Sequence, residues 1–166
     1  MSVGRSRPAE DGRFSVLLRI VDRLEIEALV TEFAYRIDHG FSDRVADLFA
    51  PQGWYGREGG TKSVGRDAIR AAYAGRRSES PARLSRHLFA NLRVAFDGED
   101  GANGLSTLML IAGDGAAPLP VHVTLVQDYV DRYVRIDGSW LFLARETRRL
   151  FIDDGFREVL KLGAGG

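Results

Sequence analysis

Residues 88–96 alternate strictly between two sets of side chains, and a period of two is typical of a β-strand. The apolar set is Leu88, Ala90, Leu92, Val94 and Phe96, which alternates with His87, Phe89, Asn91, Arg93 and Ala95. Further strands are predicted over residues 105–112, 121–136 and 139–151, and Asp137-Gly138 between the last two is a strong signal for a two-residue hairpin turn. The second half of the chain is therefore predicted to form antiparallel strands.

The first half of the chain has a helical period instead. Within residues 22–49, apolar residues recur at the spacing of one helix face, namely Ile26, Leu29, Val30, Phe33 and Ile37. Gly40 suits the left-handed position after this helix, and Ser42 can cap a second, short helix. A short strand over residues 54–57 and a third helix over residues 66–74 follow. Helices followed by hairpin-connected strands indicate an α+β fold, with the helices on one face of a curved sheet.

The length of 166 residues predicts one domain. We assign residues 14–152 to it. Residues 1–13 are predicted to form a flexible N-terminal tail, and residues 153–166 a C-terminal tail with room for one short helix.

Composition excludes several classes of protein. The 23 basic and 23 acidic residues balance, so the chain shows neither a nucleic-acid-binding footprint nor a polybasic membrane patch. The absence of cysteine excludes disulfides, thiolate catalysis and Cys-ligated metal sites. No segment approaches the roughly 20 apolar residues of a membrane span, and the polar residues 1–10 lack the apolar run of a secretory signal. We therefore predict a cytoplasmic protein without membrane or nucleic-acid partners.

The common catalytic and cofactor motifs are also missing. The sequence contains no P-loop, no GxGxxG before a helix, no HExxH and no GxSxG. The three histidines, His39, His87 and His122, do not lie at metal-ligand spacing. No metal and no cofactor are therefore predicted.

Asp38 is the unusual residue of the first predicted helix. It lies at the end of that helix on a side bordered by Phe33 and Ile37. Apolar surroundings and the negative end of the helix dipole both disfavour a charged carboxylate there. Asp38 therefore either has a partner and a chemical task, or only shapes the turn after a frayed helix end.

His87 lies near the start of the strand, on the side that also carries Phe89 and Asn91. A neutral imidazole accepts a proton near neutral pH, and a nearby carboxylate fixes its tautomer. His87 and Asp38 could meet where the first helix lies on the sheet and form a general base, or His87 is an exposed strand residue. Simple alternation places His87 on the face of the strand opposite the apolar set, and therefore away from the core. A β-bulge in the strand, or a pocket on the His87 face, would allow His87 to meet Asp38.

Other candidates have less specific signals. His39 is predicted to be solvated, whereas His122 either lines a pocket or is a packed or surface histidine of a strand. Tyr55 is either a core residue or a phenol that holds a carbonyl or hydroxyl group. Four arginines are most simply interpreted as a solvated strand edge or an oligomer contact: Arg86, Arg145, Arg148 and Arg149.

Four segments in succession carry a family resemblance: RIDHGFSDRVADLFAPQG, GRDAIRAAY, SRHLFANLRV and YVRIDGSWLF. Over residues 24–151 their order and spacing resemble the SnoaL-like branch of the NTF2-like superfamily. The resemblance implies a cone in which N-terminal helices pack on a strongly curved mixed or antiparallel sheet around an apolar pocket. Family enzymes include polyketide cyclases, scytalone dehydratase, hexachlorocyclohexane dehydrochlorinase, steroid isomerase and limonene epoxide hydrolase. The small subunit of ring-hydroxylating dioxygenases is a noncatalytic member.

The resemblance also implies which residues form the site. The dehydratase and the dehydrochlorinase pair an aspartate at the end of the first helix with a histidine that opens a strand, and Asp38 and His87 fall on those positions. Tyr55 falls where the dehydrochlorinase has a pocket tryptophan, and Leu108 and Leu110 fall on its pocket wall. The catalytic base is therefore expected to be shared with these enzymes.

The chain departs from both enzymes at their electrophilic residues. The dehydratase's second catalytic histidine has no match, and its tyrosine before the aspartate is Ile37 here. The dehydrochlorinase's lysine on the first helix falls at Phe33. We therefore expect different electrophilic partners, with Phe33 and His122 as further substrate-binding residues and Tyr55 or His122 as a hydrogen-bond donor.

The expected function is a cofactor-independent lyase, isomerase or cyclase that acts on a small apolar cyclic or aromatic substrate through the Asp38–His87 base. The alternative is a non-catalytic protein that binds a hydrophobic ligand, or a small subunit bracing a ring-hydroxylating dioxygenase, which the segment RETRRLF weakly resembles. The resemblance also implies a homodimer or homotrimer, for which the apolar β face offers an interface.

Overall fold

The computed structural model describes residues 8–159 and the side chains of residues 15–156. In chain order its elements are α1 (Pro8–Asp38), a 3-10 helix (Ser42–Leu48), β1 (Phe49–Arg57), β2 (Lys62–Val64), α2 (Arg66–Glu79), β3 (Arg83–Asp97), β4 (Gly101–Asp114), β5 (Val123–Ile136), β6 (Ser139–Ile152) and α3 (Asp154–Val159). Helices therefore precede a run of long strands, as the sequence pattern predicts. No helix in this part of the chain is long and apolar enough to cross a membrane.

One mixed sheet contains all six described strands, in the order β2-β1-β6-β5-β4-β3. The four long strands β3 to β6 pair antiparallel with their neighbours, whereas β1 runs parallel to β6. Asp137 and Gly138 adopt φ angles of 49° and 77° between the paired residues Ile136 and Ser139. This is the mirror-image turn predicted from the Asp-Gly dipeptide, whose positive φ angles match the twist of the two strands.

Helix α1 packs its apolar stripe on the sheet. Ile26, Val30 and Phe33 are each no more than 3% exposed. The Phe33 ring has neighbouring rings on all sides with centroids 5.8–6.5 Å away, from Phe49, Tyr55, Tyr73, Phe89, Tyr129 and Phe142. Burial of a side chain of this size contributes about 1.5–3 kcal/mol. Phe33 therefore joins α1, α2 and four strands of the sheet into one core.

A β-bulge in β3 decides which of its residues face α1. Ala90 pairs with Thr107 but Arg93 pairs with Leu105, so two residues of β3, Asn91 and Leu92, lie opposite one residue of β4. Asn91 has a φ of 56°, a conformation that asparagine tolerates better than most residues. Before the bulge the odd-numbered residues face inward, and after it the even-numbered ones do. The bulge therefore turns His87 inward, which resolves the conflict in the sequence pattern.

Two predicted boundaries are wrong. The N-terminal tail was placed at residues 1–13, but residues 8–13 belong to α1, and Pro8 at its described start suits the first turn of a helix. Helix α2 continues to Glu79 rather than ending near residue 74. Arginines in its last turn favour this extension, because they are good helix formers and complement the helix dipole. The short helix predicted after residue 153 is present as α3, and residues 1–7 and 160–166 lie outside the described part.

A buried ion pair links the two central strands. Asp131 on β5 faces Arg145 on β6 with N–O distances of 3.0 and 3.1 Å, and both side chains are fully buried. The Tyr133 hydroxyl donates a further bond of 2.9 Å to Asp131. The guanidinium carbon lies 4.1–4.9 Å from the ring centroids of Phe33, Phe89, Tyr129 and Phe142. The interpretation of Arg145 as a solvated edge residue is therefore wrong, because strand register places it opposite Asp131 on the inner face.

Candidate active site

A cavity of about 900 Å³ lies on the inner face of the sheet. The end of α1, helix α2 and all six strands contribute to its lining. Its lining includes Tyr55, Tyr73, Arg76, His87, Leu108, Leu110, Tyr129 and Arg149. This volume is in the range of small-molecule sites, and the mixture of apolar walls and a few polar groups is typical of them.

Asp38 and His87 meet at one side of this cavity. Asp38 Oδ1 lies 2.6 Å from His87 Nδ1, and Asp38 Oδ2 accepts a 2.7 Å hydrogen bond from the backbone N–H of His87. Ser85 Oγ donates a third bond of 2.7 Å to Asp38 Oδ1. The side chains of Asp38 and His87 are only 6% and 12% exposed. The carboxylate therefore holds both the ring and the backbone of His87 in a sheltered position.

The fold explains why these two residues meet. Asp38 is the last residue of α1, which lies across β3, and His87 is the fifth residue of β3. His87 faces α1 only because the bulge at Asn91 lies further along the same strand. The sequence resemblance predicts this pair, and the structure brings the two side chains into contact.

The electrostatics of the pair fix the proton positions. Burial raises the pKa of the Asp38 carboxyl. The hydrogen bond and charge of His87 lower this pKa, and so do the hydrogen bonds from Ser85 and from the backbone of His87. Together they outweigh burial, so the pKa of Asp38 lies below its ordinary value. Asp38 is therefore an ionised, acceptor-only group, and His87 Nδ1 must donate. In the neutral ring the lone pair then lies on Nε2, which makes no hydrogen bond to any described residue. His87 is thus arranged to accept a proton at Nε2.

A second polar group in the cavity consists of three tyrosines and one arginine. The ring centroids of Tyr55 and Tyr73 are 5.6 Å apart, and the guanidinium carbon of Arg76 lies 5.0 and 4.6 Å from them. Burial raises the pKa of Tyr55, but the charge of Arg76 and the nearby hydroxyls of Tyr129 and Tyr73 outweigh it and leave that pKa below its ordinary value. The pKa values of Tyr73 and Tyr129 are raised, first by burial and then by their coupling to Tyr55. The charge of Arg76 therefore favours ionisation of the Tyr55 hydroxyl.

The other predicted site residues have different places. Leu108 and Leu110 line the cavity, each as the cross-strand partner of an inward residue of β3. Phe33 does not line it, but is fully buried behind Tyr55 and Tyr73. His122 is exposed, precedes the first residue of β5 and does not reach the cavity. The predicted role of His122 in the pocket is wrong, because the strand begins at Val123 and leaves His122 in the preceding connection.

Two cavity residues escaped the sequence prediction. The predicted third helix ends at residue 74, before Arg76, and Arg149 is interpreted as part of a solvated strand edge or an oligomer contact, yet both residues line the cavity. The signal for Arg76 was the amphipathic pattern of α2, which places it one turn after Tyr73 on the same side of the helix. Within the described residues, no three His, Asp or Glu side chains are grouped in a way that could hold a metal ion.

Solved structures define the class of this fold. An NTF2-like protein with a cystatin-like fold from Novosphingobium aromaticivorans matches with a TM-score of 0.72 and 20% identity, covering 95% of this chain and 99% of that one. A protein provisionally named scytalone dehydratase, from the same species, matches with a TM-score of 0.72 and 25% identity, covering 82% and 89% of the two chains. LinA matches with a TM-score of 0.72 and 21% identity over 85% and 95%. The architecture is the α+β fold of NTF2-like proteins.

The family follows from the sequence comparison. The family model of the SnoaL-like domain matches residues 19–146, and the chain belongs to this family. The match includes Asp38, His87 and the whole of the sheet up to the middle of β6. No curated protein matches the chain.

Proposed function

We propose that the protein is a cofactor-independent lyase, isomerase or cyclase that acts on a small apolar cyclic or aromatic substrate. The observation that carries this proposal is the 2.6 Å contact between Asp38 Oδ1 and His87 Nδ1 in the wall of the cavity. It leaves His87 Nε2 as a proton acceptor, and the Asp38 carboxylate faces the positive charge that the ring acquires. A SnoaL-like family with a structural neighbour named as a dehydratase is consistent with this chemistry.

The proposed reaction begins when His87 Nε2 removes a proton from a carbon next to a carbonyl group of the substrate. The electron pair of the broken C–H bond moves onto the carbonyl oxygen and forms an enolate. Loss of a neighbouring group gives elimination, return of the proton to another carbon gives isomerisation, and attack on a second carbonyl gives cyclisation. All three outcomes share the same first step and the same base.

Tyr55 is the proposed donor to the enolate oxygen. It lines the same cavity as His87, and its lowered pKa makes it a stronger hydrogen-bond donor than an ordinary phenol. A general base contributes about 10²–10⁴-fold to a rate, so stabilisation of the developing oxyanion by a second group supports the proposal. Of the two donors predicted from the sequence, Tyr55 lines the cavity and His122 does not, so Tyr55 is retained as the donor in this proposal.

The first step can be measured without knowledge of the natural substrate. We expect the wild-type protein to accelerate exchange of the acidic C–H protons of 2-tetralone with D₂O, as followed by proton NMR. His87→Ala removes the ring nitrogen that contacts Asp38 Oδ1 and is expected to lower the exchange rate by about 10²–10⁴-fold, towards the buffer rate. A melting curve shows whether each variant keeps its fold.

His39→Ala is the matched control for this experiment. His39 follows Asp38 directly in the chain but is exposed and packs against Tyr35, with ring centroids 4.4 Å apart and the rings tilted by 31°. It is expected to exchange 2-tetralone at the wild-type rate. Equal rates for His87→Ala and the wild type would contradict the proposed base. Tight binding of 2-tetralone with no exchange above buffer would favour a non-catalytic ligand-binding protein.

We also propose that the protein forms a homodimer or homotrimer through the outer face of the sheet. One cross-strand row on that face is apolar and runs through Leu88, Met109, Val126 and Phe151. Leu88, Met109 and Phe151 are 49%, 41% and 69% exposed. Sedimentation velocity is expected to show an oligomer that Met109→Lys dissociates, because a lysine at the centre of the row would lose its hydration there. A wild-type protein that sediments as a monomer at all concentrations would overturn this proposal.

A further inference from the structure

The lining of the cavity has an excess of positive charge. Five arginines line it, namely Arg57, Arg76, Arg77, Arg83 and Arg149, whereas Glu79 is the only carboxylate of its described lining. Arg83 is neutralised from outside, because Asp114 accepts hydrogen bonds of 2.7 and 2.8 Å from it. The remaining arginines are not balanced in this way, although the whole chain has a net charge of zero.

Arg149 is the clearest member of this set. It is half-buried on β6 opposite Gln127, which also lines the cavity. Within the described residues it makes no hydrogen bond and no ion pair, whereas the preceding Arg148 pairs with Glu58 at 2.9 Å. Burial and the charges of Arg57 and Arg76 hold the pKa of Arg149 below its ordinary value. Its guanidinium group therefore lies among like charges, and no described residue forms a hydrogen bond or an ion pair with it.

Such an arrangement is unfavourable unless an anion enters it. Like charges close together raise one another's energy, and partial burial weakens the screening by water. A cleft lined by one sign of charge concentrates ligands of the opposite sign. Guanidinium groups match a carboxylate particularly well, because their planar N–H donors bind both of its oxygens. Arg76, which also touches Tyr55 and Tyr73, joins this cationic region to the proposed oxyanion donor.

We propose that the substrate of this cavity carries a carboxylate in addition to its apolar ring system, and that Arg149 binds this carboxylate with support from Arg57 and Arg76. The inference rests on the proposed function, since it names the class of substrate for the same cavity. A carboxylate-bearing cyclic ketone or lactone is the kind of molecule that meets both requirements. The fixed charge positions the ring, and His87 removes the proton.

The test compares two probes that share one ring system, 2-naphthoate and 2-naphthylmethanol, which differ in the negative charge. Isothermal titration calorimetry on the full chain is expected to show at least about tenfold tighter binding of 2-naphthoate, the size of one charge-assisted hydrogen bond. Arg149→Gln is expected to remove most of this preference while the affinity for 2-naphthylmethanol stays unchanged. Higher salt should weaken only the binding of 2-naphthoate.

Arg148→Gln is the control, because it removes the same charge one residue away at an exposed position of the same strand. It is expected to keep the wild-type preference for 2-naphthoate. Equal affinity of the wild type for the two probes, including no measurable binding of either, would overturn the inference. Equal effects of Arg149→Gln and Arg148→Gln on the preference for 2-naphthoate would overturn it as well. The proposed function fails separately, if the preference for 2-naphthoate is present but His87→Ala exchanges protons at the wild-type rate.

Discussion

Asp38→Asn is expected to lower the rate of proton exchange by about 10²–10⁴-fold, nearly as much as His87→Ala. Asp38 accepts three hydrogen bonds, two from His87 and one from Ser85. An asparagine has a single acceptor oxygen, and an NH2 group replaces the other carboxylate oxygen. This NH2 group must either face the backbone N–H of His87, where two donors meet, or donate to Nδ1. In the second case the ring proton moves to Nε2, where the lone pair is needed.

The double variant and a neighbouring substitution make this prediction specific. Adding His87→Ala to Asp38→Asn is expected to cause no further loss, because the two residues act as one unit. Ser85→Ala removes one 2.7 Å hydrogen bond but leaves the charge of Asp38 and both of its bonds to His87, so a much smaller loss is expected. An Asp38→Asn variant that exchanges protons at the wild-type rate would exclude the carboxylate from the proton-transfer step.

Asp131→Ala is expected to lower the free energy of unfolding by about 3–5 kcal/mol, because it leaves the charge of Arg145 buried and unpaired. In a chain of this size this corresponds to a fall in melting temperature of about 6–20 °C. The four aromatic rings around the guanidinium group are present in both proteins, and they do not replace the carboxylate oxygens that accept hydrogen bonds from Arg145. Urea unfolding of the two proteins gives the difference directly.

Asp128→Ala serves as the control on the same strand. Asp128 is half-buried and accepts a 3.0 Å bond from Thr107 Oγ1, so a loss of about 1 kcal/mol is expected. Replacing the pair together, as Asp131→Leu with Arg145→Met, should recover much of the stability, because no unpaired charge remains. Similar losses in the free energy of unfolding for Asp131→Ala and Asp128→Ala would show that the buried ion pair contributes no more to stability than the half-buried hydrogen bond of Asp128.

Much of the fold follows from local patterns in the sequence. The period of two over residues 88–96 predicts β3, and Asp137-Gly138 predicts the turn between β5 and β6. The apolar stripe of α1 predicts the face that contacts the sheet, because a helix can bury only one such stripe. These features depend on neighbours within a few residues, and therefore the sequence alone contains them.

The features that the sequence missed or left open depend on partners that are distant in the chain. The direction of His87, for which the sequence offered a β-bulge or a pocket as explanations, is set by a bulge in the pairing of β3 with β4. The burial of Arg145 is set by the register of β5 and β6, which places it opposite Asp131. Arg149 has the pattern of an exposed strand arginine, but helix α2 and the neighbouring strands place it in the wall of the cavity. Pairing register and the packing of helices on the sheet are properties of the assembled fold, so a single strand does not reveal them.

The tautomer of His87, read from the ¹⁵N chemical shifts of its two ring nitrogens in the neutral state, tests the proposed Asp38–His87 base most directly. We expect a protonated Nδ1 and an unprotonated Nε2 in the wild type, because the Asp38 carboxylate can only accept a hydrogen bond. We also expect Asp38→Asn to move the proton to Nε2. A wild-type ring with its proton on Nε2, or a tautomer that is indifferent to Asp38, would contradict the claim that these two residues form the catalytic base.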